Sequence, residues 1–302
     1  MAFPTETVYG LGADASNSQA VARIYSVKGR PNDHPLIVHI ASMDRMGDWA
    51  REVPEYAIGL ARTFWPGPMT LILKRNELAG DFVTGGQDTV GVRMPDHVVA
   101  LALLEAFERS GGKGVAAPSA NRFGHVSPTT AAAVMEELGD FLSKDDLVLD
   151  GGACDVGVES TIIDCTGDSP QILRPGAITI DMIEACTKIK VVFRTSRIRV
   201  SGSLKNHYAP IAKVTLDQIP KSGQGFIALA DIPTPFGVIR LASPKTIYEF
   251  AQVLYSSLRI ADSKGLSEIV VVQPTGDGIA VAIRDRLARA SNSPLSSENV
   301  KN

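Results

Sequence analysis

The sequence predicts an α/β protein in two units: a larger domain with a twisted mixed sheet and helices around an open cleft, followed by a small Rossmann-like α/β domain. Three observations carry this. Short branched apolar runs alternate with amphipathic helical stretches, and the loops between them are short. At 302 residues the chain exceeds the usual single-domain range. The alternation breaks near Thr187 and resumes beyond Pro210. The expected division is therefore 1–186 for the larger domain, 187–211 for a linker and 212–302 for the smaller domain.

Taken in order, Phe3-Pro4-Thr5-Glu6 reads as the exit of a strand with almost nothing before it, so a start further upstream is expected. Ser16 or Ser18 can cap a helix whose apolar positions Val21, Ile24 and Tyr25 share one face, and Gly29 ends it. Residues 36–40 form a branched apolar run, read as a strand covered on both faces. A second amphipathic helix spans 54–64 and stops at Trp65-Pro66-Gly67-Pro68, which can only turn. Strands follow at 70–73 and 90–94, then a helix over 98–110 and a strand at 115–117. Ser127-Pro128-Thr129-Thr130 reads as a helix start with Ser127 as N-cap, leaving free N–H groups that suit an anion. Strands are expected at 147–150, 160–164 and 171–173. Residues 191–206 have few periodic apolar positions and read as a crossing linker. Beyond it come strands at 213–216, 226–230, 237–241 and 268–272, with helices over 247–264 and 278–289. The tail from Ser291 is polar and expected to fray.

Composition narrows the function. Hydrophobic residues are 44% and charged residues 21%, a globular balance. A net charge of -3 gives no global basic field, which argues against a chain whose main task is gripping a polyanion and leaves room for a local basic cleft. Cys154, Cys165 and Cys186 show no CxxC pair, so they are expected to be reduced thiols rather than zinc ligands. No apolar run reaches the roughly eighteen residues of a membrane span, and no basic-then-apolar leader opens the chain. A cytoplasmic protein without membrane contact is expected.

The familiar motifs mostly fail. Gly10-Leu11-Gly12-Ala13-Asp14-Ala15 fits a dinucleotide fingerprint, but no strong strand precedes it and no acid ends a second strand at the required distance. Gly112-Lys113-Gly114 lacks the P-loop frame, and Ser119 has no nucleophile-elbow glycines. What remains is a scattered polar set at strand ends and loops: Thr7, Lys28, Arg30, His39, Arg93, Ser119, Asn121, Ser127, Ser160 and Arg174. Each alone reads as a solvated side chain. Together, cations, hydroxyls and a helix start at the loops of an α/β sheet suit a polyphosphate beside a carboxylate-bearing small molecule.

Pro4-Thr5-Glu6-Thr7-Val8-Tyr9-Gly10-Leu11, Lys28-Gly29-Arg30-Pro31, His34-Pro35-Leu36-Ile37-Val38-His39, Trp65-Pro66-Gly67-Pro68-Met69-Thr70, Pro118-Ser119-Ala120-Asn121, Glu159-Ser160-Thr161-Ile162-Ile163-Asp164 and Arg174-Pro175-Gly176 resemble, in order, the threonylcarbamoyl-AMP synthase (YrdC-like) family. His207-Tyr208-Ala209-Pro210 and the second α/β unit resemble its two-domain form. The resemblance implies a YrdC-like fold and a nucleotidyltransferase that joins L-threonine, bicarbonate and ATP, with Mg2+, into L-threonylcarbamoyl-AMP and diphosphate. A downstream threonylcarbamoyl-transferase complex would then modify the tRNA adenosine beside the anticodon, so stable nucleic acid binding is not required of this chain. By carry-over, Lys28, Arg30, Ser119 and Asn121 form the catalytic signature. Thr7, His39, Arg93, Ala117 and Ser160 would hold threonine; Arg30, His34, Thr89, Ser119, Ser127, Arg174 and Tyr208 would hold ATP. Family members usually have a helix and most of a strand before Pro4, so an unpaired sheet edge is also expected. Lys28 and Arg30 are expected to face the phosphates and to be dispensable for folding. The rival readings are a carbamoyl-adenylate-forming enzyme, whose zinc-finger cysteines this chain lacks, and a double-stranded RNA-binding module, disfavoured by the acidity and by only 6% aromatic residues.

Overall fold

The computed structural model describes residues 1–192, 197–202 and 207–292. Parts of the expected linker, at 193–196 and 203–206, and the expected frayed tail from 293 lie outside the described residues. The larger domain runs β1 (Ala2–Phe3), β2 (Gly10–Leu11), β3 (Ala13–Asp14), α1 (Ser18–Lys28), β4 (Ile37–His39), α2 (Met46–Trp49), β5 (Ala50–Arg51), α3 (Glu55–Phe64), β6 (Met69–Arg75), α4 (Asp81–Thr84), β7 (Thr89–Arg93), α5 (Val98–Arg109), β8 (Val115–Ala116), α6 (Ala131–Leu138), β9 (Thr161–Asp164), β10 (Gln171–Arg174) and α7 (Ile180–Thr187). The smaller domain adds β11 (Lys213–Leu216), β12 (Gly225–Ile227), β13 (Ile239–Ala242), α8 (Ile247–Ser263), β14 (Glu268–Val271) and α9 (Ile279–Ser291).

The main sheet has the order β10-β9-β6-β7-β4-β8-β3, with β5 beside β6. It is mixed: β4 with β7 and β6 with β9 are parallel, and the other pairs are antiparallel. The second sheet, β11-β14-β12-β13, is wholly parallel. Its helices α8 and α9 pack on each other and bury Phe250, Leu254, Leu258, Ile283 and Leu287 against Val214, Ile227 and Ile269.

Local chemistry explains most boundaries. In α1, Val21, Ile24 and Tyr25 are buried on one face, and Gly29 takes the left-handed conformation (φ 60°) that closes the helix. Its cap is Asn17, whose side chain accepts from the Gln19 and Ala20 amides, and not either serine. Ser127 does not cap α6 either: Thr130 does, accepting from Ala133 N at 3.2 Å. Residues 147–150 form no strand, only a bridge from Val148 to Ala2. At the amino terminus β1 lies antiparallel to β2 in a separate two-stranded sheet with Phe3 fully buried, while among the described residues β3 ends the main sheet with β8 as its one strand neighbour. Gly12, half of the apparent fingerprint, is a packing position, because a Cβ there would strike Phe3 and Val115.

The two domains share apolar contacts. The core of the smaller domain is continuous with Val8, Val126 and Val158 of the larger one. At Gly157, in the left-handed region at φ 77°, a Cβ would collide with the backbone of Ala251 and Gln252 in α8. Only glycine lets the loop meet the helix this closely.

Gly157→Ala is therefore expected to loosen the junction. Calorimetry should show one cooperative transition for the parent and a lower or divided transition for the variant; an unchanged profile would mean that the two domains are not joined at this point.

Candidate active site

His39 and Arg93 are brought side by side by the parallel pairing of β4 and β7, in which they are register partners. After β8 the chain is pinned over the sheet: Ala117 N donates to Ile37 O (3.0 Å), Leu11 N to Pro118 O (2.8 Å) and Ala120 N to Tyr9 O (2.8 Å). On the far side, Ser160 precedes β9 and its hydroxyl meets that of Thr70 at 2.8 Å. Arg174, at the end of β10, donates to the Ser160 carbonyl from Nε (3.1 Å) and Nη2 (2.9 Å). Thr5 folds its own turn inward, donating to Val8 O at 2.7 Å with its hydroxyl 2.8 Å from that of Thr7. These elements enclose one cavity, walled by Thr7, Arg30, His39, Arg93, Ala117, Ser119, Ser160, Arg174 and Tyr208 among others. A larger trough of ≈ 940 Å³ near Arg51, Arg75 and Asp88 is open surface whose charges already pair with one another.

The cavity is electropositive and polar groups in it are incompletely matched. Arg30 donates to Pro35 O (3.0 Å) and Ser201 Oγ (3.3 Å), and Arg174 Nη1 donates to Ser201 O (2.9 Å). Among the described residues, every hydrogen bond from these two guanidinium groups goes to a carbonyl or hydroxyl and none to a carboxylate. Burial pulls Arg30 down to about 10, and lowers Arg174 as well. Arg93 differs, sitting 2.7 Å from buried Glu6 Oε1. That pair is a charge contact without directed hydrogen bonding, since Arg93 Nε and Nη2 and both Glu6 oxygens lack well-aligned partners. Arg30 Nε, His39 Nδ1, His207 Nδ1 and Tyr208 OH are likewise buried and unpartnered. Buried polar atoms are ordinarily satisfied, so a cluster of orphans around one cavity points to a polar ligand.

A family model described as Telomere recombination, covering Sua5, YciO and YrdC proteins, matches residues 1–176, and one described as Threonylcarbamoyl-AMP synthase, C-terminal domain, matches residues 178–292. The Threonylcarbamoyl-AMP synthase of Pyrococcus abyssi is 41% identical across 96% of this chain and 90% of its own. The chain belongs to the threonylcarbamoyl-AMP synthase family. The Bacillus subtilis Threonylcarbamoyl-AMP synthase is 38% identical over 96% of this chain and 89% of its own. The crystal structure of P. abyssi Sua5 complexed with L-threonine superposes with a TM-score of 0.85 at 38% identity, covering 97% of this chain and 90% of that one.

Some residues that resemblance to the threonylcarbamoyl-AMP synthase family singles out stand elsewhere than expected. Lys28 lies behind the cavity wall. Its ammonium donates to Ser119 O at 2.5 Å and to Asn121 O, and burial beside Arg30 lowers its pKa well below the usual lysine range. It ties down the 119–121 loop from behind the cavity rather than lining it. Asn121 does the same from within, donating to Arg122 O (2.7 Å) and His125 O (2.9 Å). Ser127 is fully buried and donates to Glu159 Oε1 at 2.7 Å, so it presents no helix N-terminus. His34 and Thr89 are outside the open cavity. Their chain neighbours Asp33 and Gln87 hold linker residue Arg199, which donates from Nε to Asp33 O (3.2 Å) and from N to Gln87 Oε1 (2.7 Å).

The threonylcarbamoyl-AMP synthase motifs also left out functional neighbours. Glu6 and Glu159 stand beside Thr7 and Ser160 in the stretches 4–11 and 159–164, and a carboxylate next to a hydroxyl in an anion site is the signal that marks them. Ser201 comes from the linker, where sequence shows only a polar stretch, and His207 opens the motif that ends the linker. Cys154 and Cys165 are buried, Cys186 is half-buried, and none of the three is in a disulfide among the described residues.

Lys28→Ala should leave two buried carbonyls unpaired and cost about 2–4 kcal/mol, several degrees of thermal midpoint, whereas Arg30→Ala should move the midpoint little. A stable Lys28→Ala protein would return the lysine to a ligand-facing role. His39 and His207 are held neutral, down at about 3, chiefly by burial, with Arg93 adding at His39 and Arg30 and Lys28 at His207. Their folded values lie below the unfolded 6.5, so the unfolded chain binds more protons on acidification. Their contribution is full above pH 6.5 and declines below it by about 1.4 kcal/mol per pH unit for each imidazole. Urea midpoints between pH 7.5 and 5 check this; a flat profile would contradict it.

Proposed function

We propose that this protein synthesises L-threonylcarbamoyl-AMP from L-threonine, bicarbonate and ATP, releasing diphosphate and water, as the first step in forming N6-threonylcarbamoyladenosine at position 37 of tRNA. The supporting observation is the cavity itself, in which two buried guanidinium groups, Arg30 and Arg174, have no carboxylate partner and unpartnered His39 and Tyr208 face the same space. In this reading Thr7, His39, Arg93, Ala117 and Ser160 receive threonine, whose carboxylate shares Arg93 with Glu6. Arg30, Arg174, Ser119 and Tyr208 receive the nucleotide, with His34 and Thr89 further along its track and Ser127 behind the wall, holding Glu159.

The chemistry brings anions together. The threonine amine adds to bicarbonate with loss of water to give a carbamate, and a carbamate oxygen then attacks the α-phosphorus, expelling diphosphate. Repulsion between carbamate and triphosphate is the main obstacle, so fixed positive charge in a dry cavity supplies most of the rate. Arg30 suits this task better than a lysine because its planar fork can contact two phosphate oxygens. Among the described residues there is no group of three His, Cys, Asp or Glu side chains spaced to hold a metal. In this reading Mg2+ would accompany the triphosphate, which suits its preference for phosphate oxygens and retained water.

The linker governs access. Val200 packs on an apolar floor of Ile37, Ile72 and Ile162, and Ser201 takes hydrogen bonds from both guanidinium groups. Only ≈ 50 Å³ of the cavity is open to water, far below the roughly 300–1,000 Å³ of common small-molecule sites. Nucleotide entry thus requires residues 198–202 to lift, and their return would shield the reactive adenylate from water. The product passes to a downstream transferase complex, and no step asks this chain to grip tRNA. No helix among the described residues is long and apolar enough to cross a membrane, and we place the reaction in the cytoplasm.

Incubation with ATP, Mg2+, bicarbonate and labelled threonine should yield a threonine-dependent adenylate and diphosphate, both lost when bicarbonate is omitted. Arg30→Ala should cut turnover by about a hundredfold or more. Serine, lacking one methyl, should react with kcat/KM lower by roughly 10–200-fold. Diphosphate release independent of threonine would contradict the assignment.

A further inference from the structure

The smaller domain touches the cavity wall through one carboxylate. Glu159 is buried, lines the cavity and immediately precedes Ser160. Its Oε1 accepts from Ser127 Oγ; its Oε2 accepts from Tyr255 OH of α8 at 2.8 Å and from Arg286 Nε of α9 at 2.7 Å. The Arg286 side chain has no exposed surface, donates from Nη2 to Pro175 O at 3.0 Å and lies 5.3 Å above the Tyr208 ring. Tyr208 also stacks on Tyr255, with centroids 5.6 Å apart and planes at 26°. Its φ of 63° is one that a bulky residue keeps only when its surroundings hold it there.

A carboxylate in the wall of a triphosphate cavity repels the substrate and competes for nearby cations. Arg174 is the cation at risk. With Arg286 in place, Arg174 spends its donors on the Ser160 and Ser201 carbonyls and the Ser160 hydroxyl and makes no hydrogen bond to Glu159, which it feels only through its charge. We propose that Arg286 is a positioning residue of the active site supplied by the smaller domain: it neutralises Glu159 so that Arg174 stays available to phosphate. This rests on the adenylate-forming reading above. Burial alone would raise the Glu159 carboxyl, but Arg286, Arg174 and the hydrogen bonds from Arg286 and Ser127 hold it at about 2, so the negative charge needing compensation is present at every working pH. The smaller domain is then part of the active site.

The test compares full-length parent, Arg286→Met, Glu159→Gln/Arg286→Met and Tyr255→Phe, with calorimetric Kd and steady-state KM measured separately for ATP and for threonine. Arg286→Met should weaken ATP about tenfold or more while threonine changes by less than about threefold, because Arg174 meets the nucleotide directly but reaches the threonine site only through Ser160, and the threonine carboxylate is taken by Arg93. Removing both charges in the double variant should return ATP binding to within about threefold of the parent. Tyr255→Phe, which deletes a hydrogen bond and no charge, should affect ATP less than Arg286→Met. If the double variant binds ATP no better than Arg286→Met, or if ATP and threonine weaken together, Arg286 is a structural strut and the proposal is overturned. If Arg286→Met alone does not fold, a folded double variant still decides: parent-like ATP affinity supports the proposal, and a tenfold loss overturns it. A parent that releases no threonine-dependent diphosphate would count against the functional reading, an outcome distinct from either.

Discussion

Arg30 and Arg174 are charges taken out of water without a carboxylate to receive them, and much of the rest of the molecule is arranged around that fact. Burying a charge costs several kcal/mol unless something compensates. Here the compensation is partial: carbonyls of Pro35, Ser160 and Ser201 and the hydroxyls of Ser160 and Ser201 accept from the two side chains, and Arg30 keeps an unpartnered Nε. The fold holds the cations in place by other means. Lys28 clamps the 119–121 loop from behind, β9 and β10 fix Ser160 against Arg174, and the linker closes over the top. Under the proposed function, the triphosphate would supply the anion that these two cations face.

The same constraint accounts for the second domain's position. A cavity meant for phosphate can contain a carboxylate only if a matching cation is present, and that cation comes from α9. Gly157 permits the close approach, Tyr255 and Arg286 converge on Glu159, and Tyr208 is caught between the domains. Folding of the smaller domain and the geometry of the nucleotide end are in this way one problem.

Much of this was legible in the sequence, and the unread part has physical causes. The alternation of apolar runs and amphipathic helices located the long elements, and Thr7, Arg30, His39, Arg93, Ser160 and Arg174 do converge, because each sits at a strand end or in a turn where backbone geometry leaves little choice. Lys28 is a position that sequence cannot resolve, since nothing local distinguishes a lysine facing solvent or ligand from one that donates to the carbonyls of a loop ninety residues away. Ser127 obeyed the helix-start pattern, but Thr130 had an equal claim, and a buried carboxylate won the serine. Asn17 outcompeted two serines as a cap by the same kind of local equivalence. Arg286 was invisible: in Asp285-Arg286-Leu287-Ala288-Arg289 it looks like one more charge on a solvated helix face, and only the packing of α9 against the larger domain buries it. Two-residue strands such as β1, β2 and β3 are too short for any periodicity to register.

The most direct test of the central claim is a crystal structure with L-threonine and a non-hydrolysable ATP analogue bound with Mg2+. The account predicts phosphate oxygens between the Arg30 and Arg174 guanidinium groups, with Ser201 displaced from both. A nucleotide bound elsewhere, with Ser201 still engaging the two side chains, would contradict it.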